Sequence, residues 1–385
     1  MSDVFITRQP LVNRQSRIIA LRLRLHGASG DAARMLNALA DVWPQGERPV
    51  FVACPDADGR LLDWNIPANA TLEFPGAAFC DARAGELLAA LHRQRPSLCL
   101  DYDEQAGEAL AAGLAFRFIA YDAKSQTVAQ LKTLAAKMQP YGIGVALNVD
   151  SEKAFKATLE AGMTAAASWF FKHPTSAPAK TLNPGQAHII RVLNLVRKNA
   201  DLREIEAALK QDVALSYKLL RYINSAGFGL SCEIQSFRHA VTILGYGKLN
   251  KWLSLLLATA SKASMAPALM HTALTRARLM ELLGDGLVDS QEHDNLFITG
   301  AFSLLDALLG VSMEHALEAM HLPQPISDAL LGEGGLYAPF LDLAAACEGN
   351  DREALAEQAG MLGISAERLN RAQLSALAFA EAMEF

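Results

Sequence analysis

The chain changes its hydrophobic period once, and that change limits the fold more than any other feature. Up to about residue 171, short β-like apolar runs alternate with stretches of helical period. Strand candidates are Val4–Thr7, Arg17–Leu25, Pro49–Ala53, Thr71–Phe74, Ser97–Asp101, Arg117–Tyr121, Gly144–Leu147 and Ala165–Trp169. Between them, Asp31–Val42, Ala82–Arg93, Glu104–Ala112, Ser125–Met138 and Glu152–Ala161 read as helices. Alternation of this kind predicts an α/β domain with a mainly parallel sheet. Only a turn around Asn13–Gln15 separates the first two runs, so they are expected to form a hairpin. Eight strands suggest a barrel, and about 175 residues are few for a full eight-fold one, so some helices should be missing or short.

The segment KHPTSAPAKTLNPG, Lys172 to Gly185, carries three prolines and no apolar period. It reads as a domain boundary. Beyond it the period is 3.6: His188–Lys198, Leu202–Leu209 behind an Asp201 cap, Val213–Ile223, Arg238–Leu244, Lys248–Ala260, Ala268–Leu283, Glu292–Leu309 and Ala366–Ala382. The expected architecture is therefore multi-domain, α/β followed by all-α, with domains at 1–175 and 183–385.

At 385 residues the chain is too long for one ordinary core, and 51% apolar with 20% charged residues is a soluble globular composition. The longest apolar candidate, Trp252 to Ala260, is too short to span a bilayer and lies between Lys251 and Lys262. The opening MSDVFITRQP carries no hydrophobic signal segment, so a cytoplasmic location without membrane partners is expected. Cys54, Cys80, Cys99, Cys232 and Cys347 form no CxxC pair and read as buried free thiols. Net charge is −6, unevenly spread: balanced over 1–177, +9 over 178–278 and −15 over 279–385. The last two stretches either neutralise one another or offer charged docking faces.

Three motif groups carry a family resemblance. FITRQPLVNRQSRIIALRLRLH opens the chain. DVALSYKLLRYINS (Asp212–Ser225) and HAVTILG (His239–Gly245) follow the boundary, and GAFSLLDALLG (Gly300–Gly310) leads to MEHALEAMHLPQPISDALLG. Together they resemble bacterial EAL–HDOD signalling proteins over almost the whole length. The resemblance implies a shortened TIM-like barrel derived from a cyclic-di-GMP phosphodiesterase, followed by a helical HDOD bundle.

In active EAL enzymes two divalent cations are held by carboxylates and an asparagine at the strand ends, and a lysine helps activate water. Hard cations need oxygen ligands. Carried over residue by residue, the signature glutamate is Arg22, the asparagine is Ala53, and the Asp-Asp pair is Asp101-Tyr102. The lysine is Ala120, the Glu-Lys-Val-Glu stretch is Leu147-Asn148-Val149-Asp150, and the late glutamine is Ala167. Glu73, Asp101 and Asp122 survive as a vestigial acidic site, for which Arg22 would compete by pairing. In the helical half, the His-Asp pair of true HD phosphohydrolases corresponds to Ser303-Leu304. The literal His293-Asp294 pair reads as an exposed helix start, and His239 as a packing or capping residue. The resemblance thus implies a pseudoenzyme with no metal and no cofactor.

Other motifs add little. Gly142-Ile143-Gly144 precedes a strand, so it is no dinucleotide loop, and no GxxxxGK[ST] or GxSxG occurs. Ser225–Gly229 reads as a structural loop. The expected function is a non-catalytic adaptor working through protein partners. Two alternatives stay open. One is a cyclic-di-GMP sensor without hydrolysis. The other is a nucleic-acid-binding regulator using the basic stretch 191–251. Residues 191–251 and 281–357 are the expected docking faces, with Arg197, Lys198 and Arg203 as the first surface residues to reverse.

Overall fold

The computed structural model describes residues 4–54, 59–80, 84–172, 182, 184–211, 245–251, 253–254, 257 and 265–383. His239, Cys232, Ser225–Gly229, the helices expected at 213–223 and 238–244 and most of the proline-bearing boundary lie outside them. The chain divides into two compact units: residues 1–171 with 346–371, and residues 172–345 with 372–385.

All eight strand candidates form, and they close into one barrel in sequence order. The strands are β1 (Phe5–Asn13), β2 (Ile18–His26), β3 (Val50–Ala53), β4 (Ala70–Pro75), β5 (Ser97–Asp101), β6 (Phe118–Asp122), β7 (Ile143–Leu147) and β8 (Ala165–Ala167). β2 to β8 run parallel, while β1 is antiparallel to both β2 and β8. The β1–β2 turn is fixed by the Asn13 carboxamide, which accepts from the amides of Gln15 and Arg17 at 3.0 Å.

The helices α1 (Ser29–Ala38), α2 (Ala84–Gln94), α3 (Ala106–Ala111), α4 (Val128–Met138) and α5 (Glu152–Glu160) cover the barrel. α3 has only six residues. Between β3 and β4 the described residues hold just a 3-10 turn at Gly59–Asp63.

β1 meets β8 only through Leu11, Val12 and Asn13, so the first half of β1 has no strand on that side. Groups from the far end of the chain take the vacant positions. The Arg8 amide donates to the Cys347 carbonyl at 2.9 Å, and the Ile6 amide to Asn370 Oδ1 at 3.0 Å. Asn370 Nδ2 in turn donates to the Val4 carbonyl at 2.7 Å. Arg8 and Glu348 form an ion pair at 3.2 Å whose side chains are 2% and 0% exposed. Residues 346–371 therefore belong to the barrel unit, although the sequence placed them wholly in the helical half.

The second unit is helical throughout its described residues. It contains α6 (Pro184–Arg197), α7 (Leu202–Lys210), α8 (Ala266–Leu283), α9 (His293–Phe302), α10 (Leu305–Leu309), α11 (Met313–Glu318) and α12 (Gln324–Leu331). α13 (Ala338–Ala346), α14 (Arg352–Met361) and α15 (Ala366–Ala382) complete the chain. Fourteen of the 18 residues of α8 are buried, which makes it the central helix of its unit.

The single helix expected over Glu292–Leu309 is two. Ser303 Oγ donates back to the Gly300 carbonyl at 2.8 Å, and Leu304 leaves helical geometry at φ −126°, ψ 24°. Gly300 lets α9 cross α8 closely, because a Cβ there would lie 2.6 Å from the Ala277 Cα. Gly300→Ala is expected to cost about 1–3 kcal/mol through overpacking, read as a lower urea midpoint with unchanged slope. Among the described residues no helix is long and apolar enough to cross a membrane.

Candidate functional site

Apart from Arg8 and Glu348, the barrel's buried charges among the described residues are Arg22 and Glu73, on the parallel strands. Arg22 on β2 and Glu73 on β4 are 5% and 3% exposed. Arg22 Nε donates to Glu73 Oε2 at 2.7 Å and to Oε1 at 3.0 Å, and Nη2 also donates to Oε1. Burial opposes the guanidinium charge, but the Glu73 carboxylate overrides it and raises the Arg22 pKa. Arg22 Nη1 is buried without a hydrogen-bond partner. Arg24, two residues on and so on the same strand face, is half-buried. Burial and repulsion from Arg22 bring its pKa down to about 10, against the attraction of Glu73 and Asp101.

Asp101 closes β5. Burial pushes its carboxyl up to about 7 and Glu73 adds to that, with Arg22 acting the other way. Tyr102 lies against Tyr121, ring centroids 5.7 Å apart. Asp122 is engaged in its own turn: Oδ1 accepts from the Lys124 amide at 3.0 Å and from Asn148 Nδ2 at 3.1 Å.

Asp103 is committed too. It accepts from the Ala77 amide at 2.8 Å and the Gln105 amide at 2.9 Å. The approach needs Gly76, where a Cβ would fall 2.1 Å from Asp103 Oδ1.

Beneath these charges the barrel interior is hydrocarbon. Ala120, Leu147 and Ala167 belong to one apolar cluster with Leu11, Phe51, Cys99 and Phe118, and the first three are 0%, 3% and 0% exposed. Three positions that the resemblance assigns to catalytic polar groups are thus core. Ala53, paired with Glu73 across β3–β4, has no donor atom to offer. The residues present do not fit a pair of divalent cations: the best-placed carboxylate, Glu73, already binds a guanidinium on both oxygens. Sequence reasoning named Asn148 only as a changed family position, and missed Arg24 and the Gly76–Asp103 clip. Arg24 alone had a signal, its place one strand repeat after Arg22.

In the helical unit, Ser303 Oγ accepts from Arg276 Nη1 at 3.0 Å, and Leu304 is buried at 4%. His293 starts α9 as expected, but it is half-buried rather than exposed, and its Nε2 is buried without a partner. Arg197 also departs from expectation. Its Nε donates to Asn250 Oδ1 at 2.9 Å and its guanidinium lies 5.7 Å from the Phe302 ring, so it faces inward. Burial lowers its pKa to about 10. Lys198 and Arg203 are exposed.

Lys251 is paired with Glu281 and sits 3.9 Å over the Phe297 ring. The basic stretch is therefore not one open face. Cys54, Cys99 and Cys347 are buried as expected, whereas Cys80 is exposed. Burial raises the Cys347 thiol to about 12.

Residues 183–308 match the HDOD domain family. The chain is 29% identical over 233 residues to the cyclic di-GMP phosphodiesterase CdgJ of Vibrio cholerae, covering 60% of this chain and 54% of that protein. It is 27% identical to the uncharacterized protein YuxH of Bacillus subtilis, covering 58% and 57%. The chain spans little more than half the length of these curated relatives. A solved EAL domain of FimX from Pseudomonas aeruginosa, bound to c-di-GMP, is 17% identical with a TM-score of 0.36, covering 45% of this chain and 90% of that one.

Proposed function

We propose that the chain, whose residues 183–308 match the HDOD family, is an EAL–HDOD protein and a non-catalytic adaptor acting through protein partners in a cyclic-di-GMP-linked pathway of the bacterial cytoplasm. The observation that carries this reading is the Arg22–Glu73 ion pair standing over an apolar barrel interior. Stripping a cation of its water has to be offset by several oxygen ligands. Here Glu73 is occupied, Asp122 caps a turn, and Ala53, Ala120, Leu147 and Ala167 offer nothing. The Vibrio cholerae relative is named a phosphodiesterase, so the reading makes a sharp prediction. Purified protein given cyclic-di-GMP with Mg²⁺ or Mn²⁺ should yield no linear dinucleotide product. Turnover above a no-enzyme blank would overturn it. Arg22→Glu alone should restore no hydrolysis, because five further positions remain changed.

A second reading, binding without cleavage, is favoured by one observation. Arg22 Nη1 is buried without a hydrogen-bond partner and Arg24 lies on the same strand face, so a phosphate oxygen reaching the barrel mouth would meet an unsatisfied guanidinium donor. Calorimetric titration with the dinucleotide separates the two readings. Heat at micromolar concentration without product makes the barrel a sensor, and no heat leaves the adaptor.

A further inference from the structure

We propose that the outer face of α6 is a docking groove for an acidic amphipathic helix of a partner protein. Ala187, Ile190, Arg191, Asn194, Leu195 and Lys198 line one bank of a groove of about 370 Å³. Their spacing of three and four places them in a single stripe about 16 Å long, about three helical turns. The other bank is held in place by Asn194, whose Nδ2 donates to the Ala319 carbonyl at 2.9 Å and whose Oδ1 accepts from the His321 amide at 3.1 Å. This stripe lies beside the face that α6 uses for its own core, where Ile189, Ile190, Val192, Leu193 and Val196 are buried, so Ile190 is a core residue that only edges the groove floor.

The chemistry of the groove selects its occupant. Leu182, Ala187, Ile190 and Leu195 give it an apolar floor, and Arg191, Lys198 and His321 stand on its rim. Arg191, Lys198 and His321 are exposed, no acidic residue lines the groove among the described residues, and α6 itself has none. The whole chain carries −6, so this basic stripe stands against the overall charge. An apolar floor rimmed by cations complements a helix with leucine-type residues on one side and carboxylates flanking them. Nucleic acid fits less well, because the stripe offers no aromatic ring for base stacking.

The inference rests on the adaptor reading for the class of ligand, a protein segment. The probe is a fluorescein-labelled peptide of about fifteen residues with leucines at i, i+3, i+4 and i+7 and glutamates elsewhere, titrated with the full chain and followed by anisotropy. The expected result is saturable binding that weakens with added salt. Lys198→Glu should weaken it about tenfold and Ala187→Trp should abolish it. Arg203→Glu, an equal charge change away from the groove, should leave it within about twofold.

In the peptide titration, any of three results would overturn the proposal: no binding, equal binding of a shuffled peptide of the same composition, or equal loss in Lys198→Glu and Arg203→Glu. Light scattering on the same samples would also overturn it if the chain alone were a dimer that Lys198→Glu dissociates, since a second copy would then fill the groove. Turnover of cyclic-di-GMP with a groove that still binds would end the adaptor reading alone. An inert barrel with a silent groove would end only this inference.

Discussion

Glu348→Ala is expected to destabilise the barrel unit by roughly 3–5 kcal/mol, the usual cost of leaving a buried charge without its partner. Arg8 is 3% exposed on β1, and the Glu348 side chain that meets it is fully buried. Removing the carboxylate leaves a guanidinium that neither reaches water nor deprotonates. Urea unfolding at pH 7 would show a large fall in midpoint. Arg8→Met combined with Glu348→Leu should recover most of it, because an apolar pair of similar volume avoids both desolvation costs. A single variant within about 1 kcal/mol of the parent would mean that the pair is not a determinant of the barrel. A chain stopped at residue 175 is expected to fare worse. It loses the Glu348 carboxylate, the Cys347 carbonyl and the Asn370 carboxamide together, leaving Val4, Ile6 and Arg8 without these partners on one edge of β1.

That dependence is the part of the fold the sequence did not disclose. The eight strands were legible because each is a short apolar run between helical stretches, and even the hairpin turn at Asn13 follows from local chemistry. Arg22 facing Glu73 could be anticipated once both were placed at strand ends. Asn370 and Glu348 lie more than 330 residues from the β1 groups they satisfy, on stretches whose period says only helix. α11 to α14 were passed over for another reason: they run from six to ten residues, and prolines and glycines interrupt them.

On the adaptor reading, a side-chain cation stands in each half near a position where the resemblance expects a metal ligand. At the barrel mouth a guanidinium neutralises Glu73. In the helical unit Arg276 donates to Ser303, the residue that stands for the histidine of the HD pair. A cation on a side chain keeps nearby polar groups satisfied without needing the full set of oxygen ligands a metal demands.

The same substitution makes the barrel sensitive to pH through Asp101. The Arg22 guanidinium is held by Glu73 on both oxygens and is not paired with Asp101. Asp101 is left half-buried near a second negative charge, and its folded pKa rises to about 7 from an unfolded value of about 3.9. Between these values the folded state keeps a proton that the unfolded chain releases, so stability falls as pH rises through that window and is level above it. The full gap corresponds to about 4 kcal/mol, reduced to about 2–4 kcal/mol because water reaches part of the side chain. Asp101→Asn should therefore match the parent near pH 4 and exceed it by about that amount at pH 8. Urea unfolding of both proteins across this range tests it, since the other carboxylates titrate alike in each and cancel in the difference. Parallel curves would place Asp101 in free contact with water, and would remove the strain between Glu73 and Asp101 from the account of the barrel mouth.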